Sequence, residues 1–273
     1  MNARPGSNSQ PSLARRKRLI AISIVGLSIL LTIAIVTLKT PTGKREPPTV
    51  VIRVDDIQDF AFREAQLFLL NESMINQVPL SLAVIVGMFG EDAEIVQTVK
   101  LAVGSGSEVA VHGWEHEDLA KLSFGEQVVL LSRSRSQIKE ILDYDVEILI
   151  PPMFSFNENT LAAMNEEGYD IISTFTDYAE PGLMSNVISL PATIELSDFS
   201  NGIWNMKSLD SIRAEVATSI KKYGFAVIVT HPQEFVVDAT LSQDGIESYR
   251  TLLITLKEHY SFKTLERLSE NWR

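Results

Sequence analysis

The sequence predicts an α/β fold of the (β/α) barrel type, preceded by a single transmembrane helix. After residue 48, continuous apolar segments typical of buried strands alternate with helical patterns, as in a parallel sheet with helical crossovers. Seven or eight such units fit into about 225 residues, a common size for one α/β barrel. The transmembrane helix is predicted from an uncharged apolar run close to the N-terminus.

Residues 19–38 form this apolar run, which is rich in Ile, Leu and Val. A helix of this length spans about 30 Å, the thickness of the hydrocarbon layer of a membrane. A buried core helix would show a polar face, and a cleaved signal peptide would end in a small-x-small site; the run has neither feature. We therefore predict an uncleaved signal anchor in the cell membrane.

Residues 1–18 form a basic N-terminal tail, and its positive charge predicts that the tail stays in the cytoplasm. Residues 39–48 then form a short linker that contains Pro, and residues 49–273 form a barrel domain outside the cytoplasm. Six of the 24 Lys and Arg and none of the 35 Asp and Glu precede residue 44, so the remainder carries 18 minus 35, or −17, formal charges. Such a charge repels nucleic acid and anionic lipid. The absence of Cys excludes disulfides and thiolate metal sites.

The strands of the barrel are predicted from short apolar segments that are rich in β-branched residues. They cover residues 49–54, 80–86, 108–111, 146–150, 170–175, 187–190, 225–229 and 261–265. Helices are predicted over residues 60–76, 88–103, 123–143, 157–167, 210–223 and 242–259. Ser123 and Glu126 form a capping-box pattern, and Gly168 and Gly224 follow predicted helices as C-terminal stops.

Polar and imino residues follow four of these strands directly. They are Asp55–Asp56, His112, Pro151–Pro152 and His231. In (β/α) barrels the loops after the strands carry the chemistry, because the carboxyl ends of all strands meet at one face. The sequence therefore predicts an active site built from these four loops.

Asp56, His112 and His116 are predicted to bind a divalent cation such as Zn²⁺. The two His are four residues apart, so a tight loop or one helical turn brings both imidazoles to one point. Two His and one carboxylate leave a coordination position open for water or substrate. Asp55, beside the metal, is predicted to take a proton from that water, and His231 to give a proton to the leaving amine.

Each of these residues taken alone also has a structural interpretation. Asp55–Asp56 is a common helix cap after a strand, and a His before Pro is often a packed, hydrogen-bonded residue. Trp114 and Trp204 are candidate substrate-binding residues, but tryptophans are more often found in a core or at its rim. The joint pattern is what favours a catalytic site.

The ordered motifs Val-Asp-Asp (54–56), His-Gly-Trp-Glu-His (112–116), Pro-Pro (151–152) and Val-Thr-His-Pro (229–232) resemble those of polysaccharide deacetylases, the NodB-homology group of carbohydrate esterases. The resemblance implies a distorted (β/α)7-type barrel that removes acetyl groups from a glycan with a bound metal. It gives Asp55 and His231 the roles of base and acid. It further implies that the backbone N–H of Met153 binds the oxyanion, with Pro152 beside the substrate.

The sequence also departs from this pattern. The family usually has Arg directly before Pro-Pro, where it tethers the base, and this chain has Ile150, so we expect a base without its cationic partner. Asp198 and Trp204 are loose candidates for the residues that flank the acid. A catalytically impaired barrel that binds glycan or metal is therefore the alternative to a deacetylase. A metal-dependent phosphoesterase is less favoured, because the acidic domain repels anionic substrates.

Overall fold

A computed structural model describes Met1, residues 46–200 and residues 202–273 of the chain. The barrel domain is a compact unit that begins at Pro47 and ends at Arg273. The predicted transmembrane helix, residues 19–38, and the basic tail lie outside the described residues, as does most of the linker. Within the described part of the chain, no helix is long and apolar enough to cross a membrane.

Fourteen strands are present in the described residues, and ten of them form one sheet. In chain order they are β1 Thr49–Ile57, β2 Leu80–Val84, β3 Glu108–Val111, β4 Ile148–Leu149, β5 Ile171–Ile172, β6 Gly182–Met184, β7 Val187–Ser189, β8 Ile194–Glu195, β9 Ser197–Ser200, β10 Ile203–Met206, β11 Phe225–Thr230, β12 Val236–Val237, β13 Thr240–Leu241 and β14 Ser261–Phe262.

The large sheet has the order β6-β7-β5-β4-β3-β2-β1-β11-β8, with β14 beside β1. Neighbouring strands are parallel except for the β6–β7 pair. The chain between β7 and β8 connects the two ends of the sheet. Leu190 donates its N–H to the carbonyl of Ile172 at the β5 side, and Leu196 donates its N–H to the carbonyl of Val229 at the β11 side. The sheet is thus a curled half-barrel whose two sides are linked by this one stretch of chain.

Seven α-helices accompany the strands in the described residues. They are α1 Arg63–Asn76, α2 Ala93–Gly104, α3 Phe124–Leu142, α4 Glu158–Glu167, α5 Leu209–Tyr223, α6 Gln243–Lys257 and α7 Leu265–Ser269. The predicted capping box of Ser123 and Glu126 is present at the start of α3. Gly168 and Gly224 end α4 and α5 in the left-handed conformation, as predicted.

The two faces of β1 belong to different clusters of buried residues, because side chains alternate along a strand. Val50, Ile52 and Val54 pack with the apolar residues of α1 to α6. Val51 lies on the opposite face, in a second cluster that includes Ile150 of the segment after β4. Arg53 and Asp55 follow Val51 in the same alternation, so these two charged residues point into the interior of the curled sheet.

The short helix α7 attaches to the opposite end of the barrel from the predicted site, through Glu108 at the start of β3. The Glu108 carboxylate accepts hydrogen bonds from the Ser81 hydroxyl at 2.6 Å, the Leu265 N–H at 2.8 Å and the Glu266 N–H at 3.0 Å. Burial raises the pKa of this carboxyl group to about 7, although the donors oppose that rise.

The structure differs from the predicted elements in the lengths of several strands and in short elements that were not predicted. The strands predicted at 146–150 and 170–175 are only two residues long. Helix α7 and the antiparallel hairpins β9–β10 and β12–β13 were not predicted. Their segments are too short to show a period in the sequence.

We expect Glu108→Ala to lower the free energy of unfolding by about 3 kcal/mol, because three buried donors lose their acceptor. The raised pKa means that the folded protein disfavours the ionised carboxylate, so the parent loses stability as the pH rises from about 4.5, the ordinary pKa of Glu, to about 7, and loses no more above it. The difference between parent and variant should therefore be larger at pH 5 than at pH 8. Urea unfolding at both pH values measures it.

Glu147→Ala is the control, because the Glu147 carboxylate forms a solvent-accessible ion pair with the half-exposed Arg273. It should change stability by less than about 1 kcal/mol. Equal effects of the two substitutions would contradict the proposed attachment of α7.

Candidate metal centre and active site

Asp55 and Asp56 lie at an irregularity near the end of β1. The register with β2 shifts between Val54 and Ile57, and Asp56 adopts a left-handed backbone conformation with a φ of 63°. A non-glycine residue in this region costs about 1–2 kcal/mol. The bulge turns the adjacent carboxylates in different directions: Asp55 faces Arg53, and Asp56 faces the two histidines.

The loop after β3 carries both histidines. His112 continues the strand and donates its N–H to the carbonyl of Val84. Gly113 has a φ of 73°, and a Cβ there would stand 2.5 Å from the Glu117 carboxylate. That carboxylate accepts the N–H groups of Trp114 and Glu115 and so closes the loop. His116 has a φ of 63°, which returns its ring toward His112.

The predicted metal ligands come together as the sequence suggested. Oδ1 of Asp56 lies 3.3 Å from Nε2 of His112 and 3.4 Å from Nε2 of His116. All three ligand atoms lie within 4.8 Å of one another. A tetrahedral ion with bonds of about 2.0–2.1 Å separates its ligand atoms by about 3.3–3.4 Å, so the spacing fits a zinc-sized cation.

The chemistry of these atoms also fits a cation. Nδ1 of His112 lies 2.7 Å from the carbonyl oxygen of Ile150, so it donates its proton there, and in the neutral ring Nε2 presents a lone pair. Oδ1 of Asp56 is buried without a hydrogen-bond partner. Two electron-rich atoms that face each other at this distance need a positive charge between them.

The protonation states of the ligands favour metal binding. Burial opposes ionisation of Asp56, but His112, His231 and Gln233 together hold its pKa well below the usual range. The pKa of His116 is lowered by burial and by the nearby His112. Metal binding requires an ionised carboxylate and neutral imidazoles, so both shifts act in the same direction.

Gln233 supports Asp56 from the other side. Its Nε2 donates to Oδ2 of Asp56 at 3.1 Å, which leaves Oδ1 for the cation. The two residues are distant in the chain, and the contact connects β1 to the turn after β11. This contact was not predicted from the sequence.

Asp55 has a cationic partner, which corrects the expectation drawn from Ile150. Nε and Nη2 of Arg53 donate to the two carboxylate oxygens of Asp55 at 2.9 Å and 2.8 Å. The side chains of Arg53 and Asp55 are 0% and 1% exposed. The partner comes from β1 itself, two residues before the predicted base.

Glu234, and not Asp198, is the carboxylate that contacts His231. Oε1 of Glu234 accepts from both the backbone N–H and Nδ1 of His231, each at 2.9 Å. Its other oxygen accepts from the Ser197 and Thr230 hydroxyls. Asp198 is exposed and lies 3.8 Å from the Lys207 ammonium group.

The predicted acid is therefore oriented and electrostatically supported. Burial lowers the pKa of His231, but the hydrogen bond to Glu234 and the charges of Asp55, Glu234 and Asp56 outweigh it and raise the pKa above its ordinary value. The Trp204 ring stacks on the His231 ring, with centroids 5.7 Å apart. With Nδ1 on Glu234, Nε2 is the atom left to carry a proton to a substrate.

The remaining predicted site residues occupy different places. Met153 has a φ of 55°, and its N–H makes no hydrogen bond within the described residues. Pro152 is buried and packs close to Gly113 of the histidine loop. The Trp114 ring packs against Gly87, and the central carbon of the Arg133 guanidinium lies 3.2 Å from the ring centroid. The contacts seen for Trp114 are thus within the protein.

Three supporting residues were missed from the sequence: Arg53, Gln233 and Glu234. Arg53 gave a signal, because it is the only charged residue in the apolar segment 49–54. A charge at an inward position of a buried strand needs a buried partner. Glu234 gave a weaker signal, since an acidic residue three positions after His-Pro can return to the His backbone as in a capping box.

Residues 42–172 match the family model described as polysaccharide deacetylase. The matched residues belong to the polysaccharide deacetylase family, the NodB-homology group. The resemblance seen in the motifs is thus confirmed. The sequence has no significant match among curated proteins.

Several solved structures have the same fold. A Mycobacterium smegmatis protein assigned to the polysaccharide deacetylases has a TM-score of 0.64 and 17% identity, over 84% of this chain and 92% of that one. The Xyl-CE4 domain of a multidomain xylanase from the hindgut metagenome of Trinervitermes trinervoides has a TM-score of 0.57 and 16% identity, over 83% and 91%. A CE4 family pseudoenzyme from Bacillus anthracis has a TM-score of 0.56 and 16% identity, over 83% and 67%. At these identities the likeness shows the fold.

We expect His112→Ala to remove stoichiometric zinc from the purified chain, because one of three ligands is lost. His259→Ala is the matched control, since His259 is exposed near the end of α6 and distant from the other histidines in sequence. Elemental analysis after dialysis against zinc measures the bound metal. Full zinc occupancy in the His112 variant would contradict the assignment of the site.

Proposed function

We propose that this protein is a metal-dependent deacetylase that hydrolyses N-acetyl or O-acetyl groups of an extracellular glycan. The observation that carries the proposal is the convergence of a cation-binding triad, a carboxylate fixed by arginine and a histidine fixed by glutamate. These are the three parts that acetyl hydrolysis needs: an electrophile, a base and an acid. The family membership supports the same reaction class.

Asp56, His112 and His116 would hold the divalent cation, and Zn²⁺ suits two imidazoles and one carboxylate. A cation held there would acidify a water molecule and polarise the acetyl carbonyl. Asp55 would take a proton from the attacking water as the water oxygen bonds to the acetyl carbon and the carbonyl π electrons move onto the carbonyl oxygen. The Arg53 fork occupies one side of each Asp55 oxygen and leaves the other lone pairs for this proton.

His231 completes the reaction on the opposite side of the acetyl group. Its Nε2 gives a proton to the amide nitrogen, or to the ester oxygen, as the bond to the acetyl carbon breaks, so that acetate and a free amine or alcohol result. Glu234 stabilises the protonated ring before transfer. The Met153 N–H makes no hydrogen bond within the described residues. It would donate one to the carbonyl oxygen as negative charge develops there.

Aromatic rings on two sides of these groups suit a sugar substrate. Trp204 stacks on His231 and contacts Phe199, which is 60% exposed. On the Arg53 side, Phe154 contacts Tyr178, which is 58% exposed. Flat exposed rings pack well against the C–H faces of pyranoses, and they bring no charge that would select an ionic substrate.

The alternative of a catalytically impaired barrel rests on Ile150, which stands where the family usually has Arg. Arg53 removes that reason, since the base is paired through both oxygens. We further propose that the barrel lies outside the cytoplasm, tethered through residues 19–38. The net charge of −17 beyond residue 43 agrees with a neutral or cationic polymer as substrate.

Asp55→Asn should lower kcat for acetate release by about 10²–10⁴-fold, because the base is lost. Zinc content should stay at that of the parent, since Asp55 is not a ligand. Acetate is measured with N-acetylglucosamine oligomers and acetylated xylo-oligosaccharides as substrates. Asp198→Asn, which changes an exposed carboxylate on the adjacent hairpin, should keep the parent rate. A zinc-loaded parent that releases no acetate from such a panel would refute the proposed activity.

Glu234→Gln should move the alkaline limb of the kcat/KM profile to lower pH by about one unit. The acid works in its protonated form, which is present below its pKa, and removal of the Glu234 charge lowers that pKa. Ser197→Ala, which keeps the Glu234 charge but removes one of its donors, should shift the limb much less. An unchanged limb in the Glu234 variant would show that His231 is not the acid.

A further inference from the structure

Arg53 crosses the interior of the curled sheet. Its side chain starts on β1, and its Nη1 donates to the carbonyl of Ser173 at 3.0 Å, to the Ser173 hydroxyl at 2.9 Å and to the carbonyl of Thr174 at 2.9 Å. Those acceptors directly follow β5, which is separated from β1 in the sheet by β2, β3 and β4. The guanidinium also lies over the Phe154 ring, with 5.5 Å between its central carbon and the ring centroid.

All the contacts of this guanidinium define one orientation. Nε and Nη2 hold the two oxygens of Asp55, while Nη1 is fixed by the segment after β5. Neither end can rotate without breaking a buried hydrogen bond, and Arg53 has no exposed surface. The Asp55 carboxylate is therefore held in plane by a bidentate pair whose other end is anchored across the barrel.

We propose that Arg53 is the positioning residue of the base and replaces the arginine that the family places before Pro-Pro. Ile150 occupies that family position, is fully buried and belongs to the apolar cluster of the same interior. Side chains from β1 and from the end of β4 thus enter one enclosed space. The space holds one guanidinium, so an arginine on β1 makes a second one at position 150 both unnecessary and unfavourable. This inference rests on the proposed function and deepens it.

The placement has a specific consequence for substitutions at the two positions. Ile150→Arg in the parent would put a second buried cation beside Arg53 and should destabilise the chain. The same substitution in an Arg53→Met background supplies the missing cation and should restore the stability of the chain. Ile150→Arg is thus expected to destabilise the chain when Arg53 is present and to stabilise it when Arg53 is absent. Two residues that contribute to stability independently would not show this reversal.

The test uses the full chain as the parent, Arg53→Met, Arg53→Lys, Ile150→Arg and the Arg53→Met/Ile150→Arg double variant. With zinc bound at parent stoichiometry, Arg53→Met should lower kcat for acetate release by about 100-fold or more and change KM by less than about threefold. Arg53→Lys should fall between, because an ammonium group cannot form the bidentate pair. The double variant should regain at least about tenfold over Arg53→Met.

Glu108→Ala is the control for stability alone, because Glu108 is buried in the same interior at the opposite end of the barrel, where its carboxylate accepts from Ser81, Leu265 and Glu266. Measured at a temperature where it is folded, it should keep a kcat near that of the parent. If Arg53→Met does not fold, Arg53→Lys and the double variant still decide. A folded, zinc-loaded Arg53→Met or Arg53→Lys chain with parental kcat would overturn the proposal.

A second readout does not depend on turnover. Crystal structures of the zinc-loaded variants should show the Asp55 carboxylate rotated out of its parental position in Arg53→Met and returned to it in the double variant. If the parent proves inactive on all glycans, this structural comparison still tests the role of Arg53, while the proposed activity fails separately. An Asp55 side chain that keeps its orientation without Arg53 would overturn the inference.

Discussion

The site depends on a guanidinium that is enclosed within the curled sheet. A buried cation is stable only where oxygen atoms surround it. Asp55 supplies two such atoms from the same strand, and the segment after β5 supplies three from across the barrel. The contacts that stabilise Arg53 in the interior are thus the contacts that direct the base. Fold stability and the orientation of the proposed base are thus coupled through one pair of residues.

Three of the proposed site residues have a strained backbone conformation. Asp56, His116 and Met153 all have φ values of 55–63°, in a region that non-glycine residues rarely adopt. At the first two, the strained backbone brings a carboxylate oxygen and an imidazole nitrogen face to face, which is unfavourable without a positive charge between them. A cation bound there would offset both the strain and the repulsion.

Much of this structure was predictable where the sequence repeats a simple physical rule. The long apolar segments of β1 and β11 and the capped helix α3 were predicted because periodicity and capping are local. The convergence of Asp56, His112 and His116 was predictable because parallel strands end at one face of a barrel. The strand predicted at 146–150 was too long: β4 covers only Ile148–Leu149, and the prolines after Ile150 have no N–H with which to extend the strand pairing. Short hairpins and α7 leave no period to detect.

The supporting charges could not be predicted, because they depend on where side chains end and not on where they begin. A buried ionised carboxylate is stabilised by a cation or by several hydrogen-bond donors, and any inward-facing position of the curled sheet can supply them. Arg53 starts two residues before Asp55 and reaches across three strands; Glu234 starts three residues after His231 and folds back within one turn. A family motif places one such cation, an arginine, at a fixed position in the sequence. The requirement itself is set by burial, so a missing motif arginine indicates lost pairing only when no other guanidinium enters the same interior.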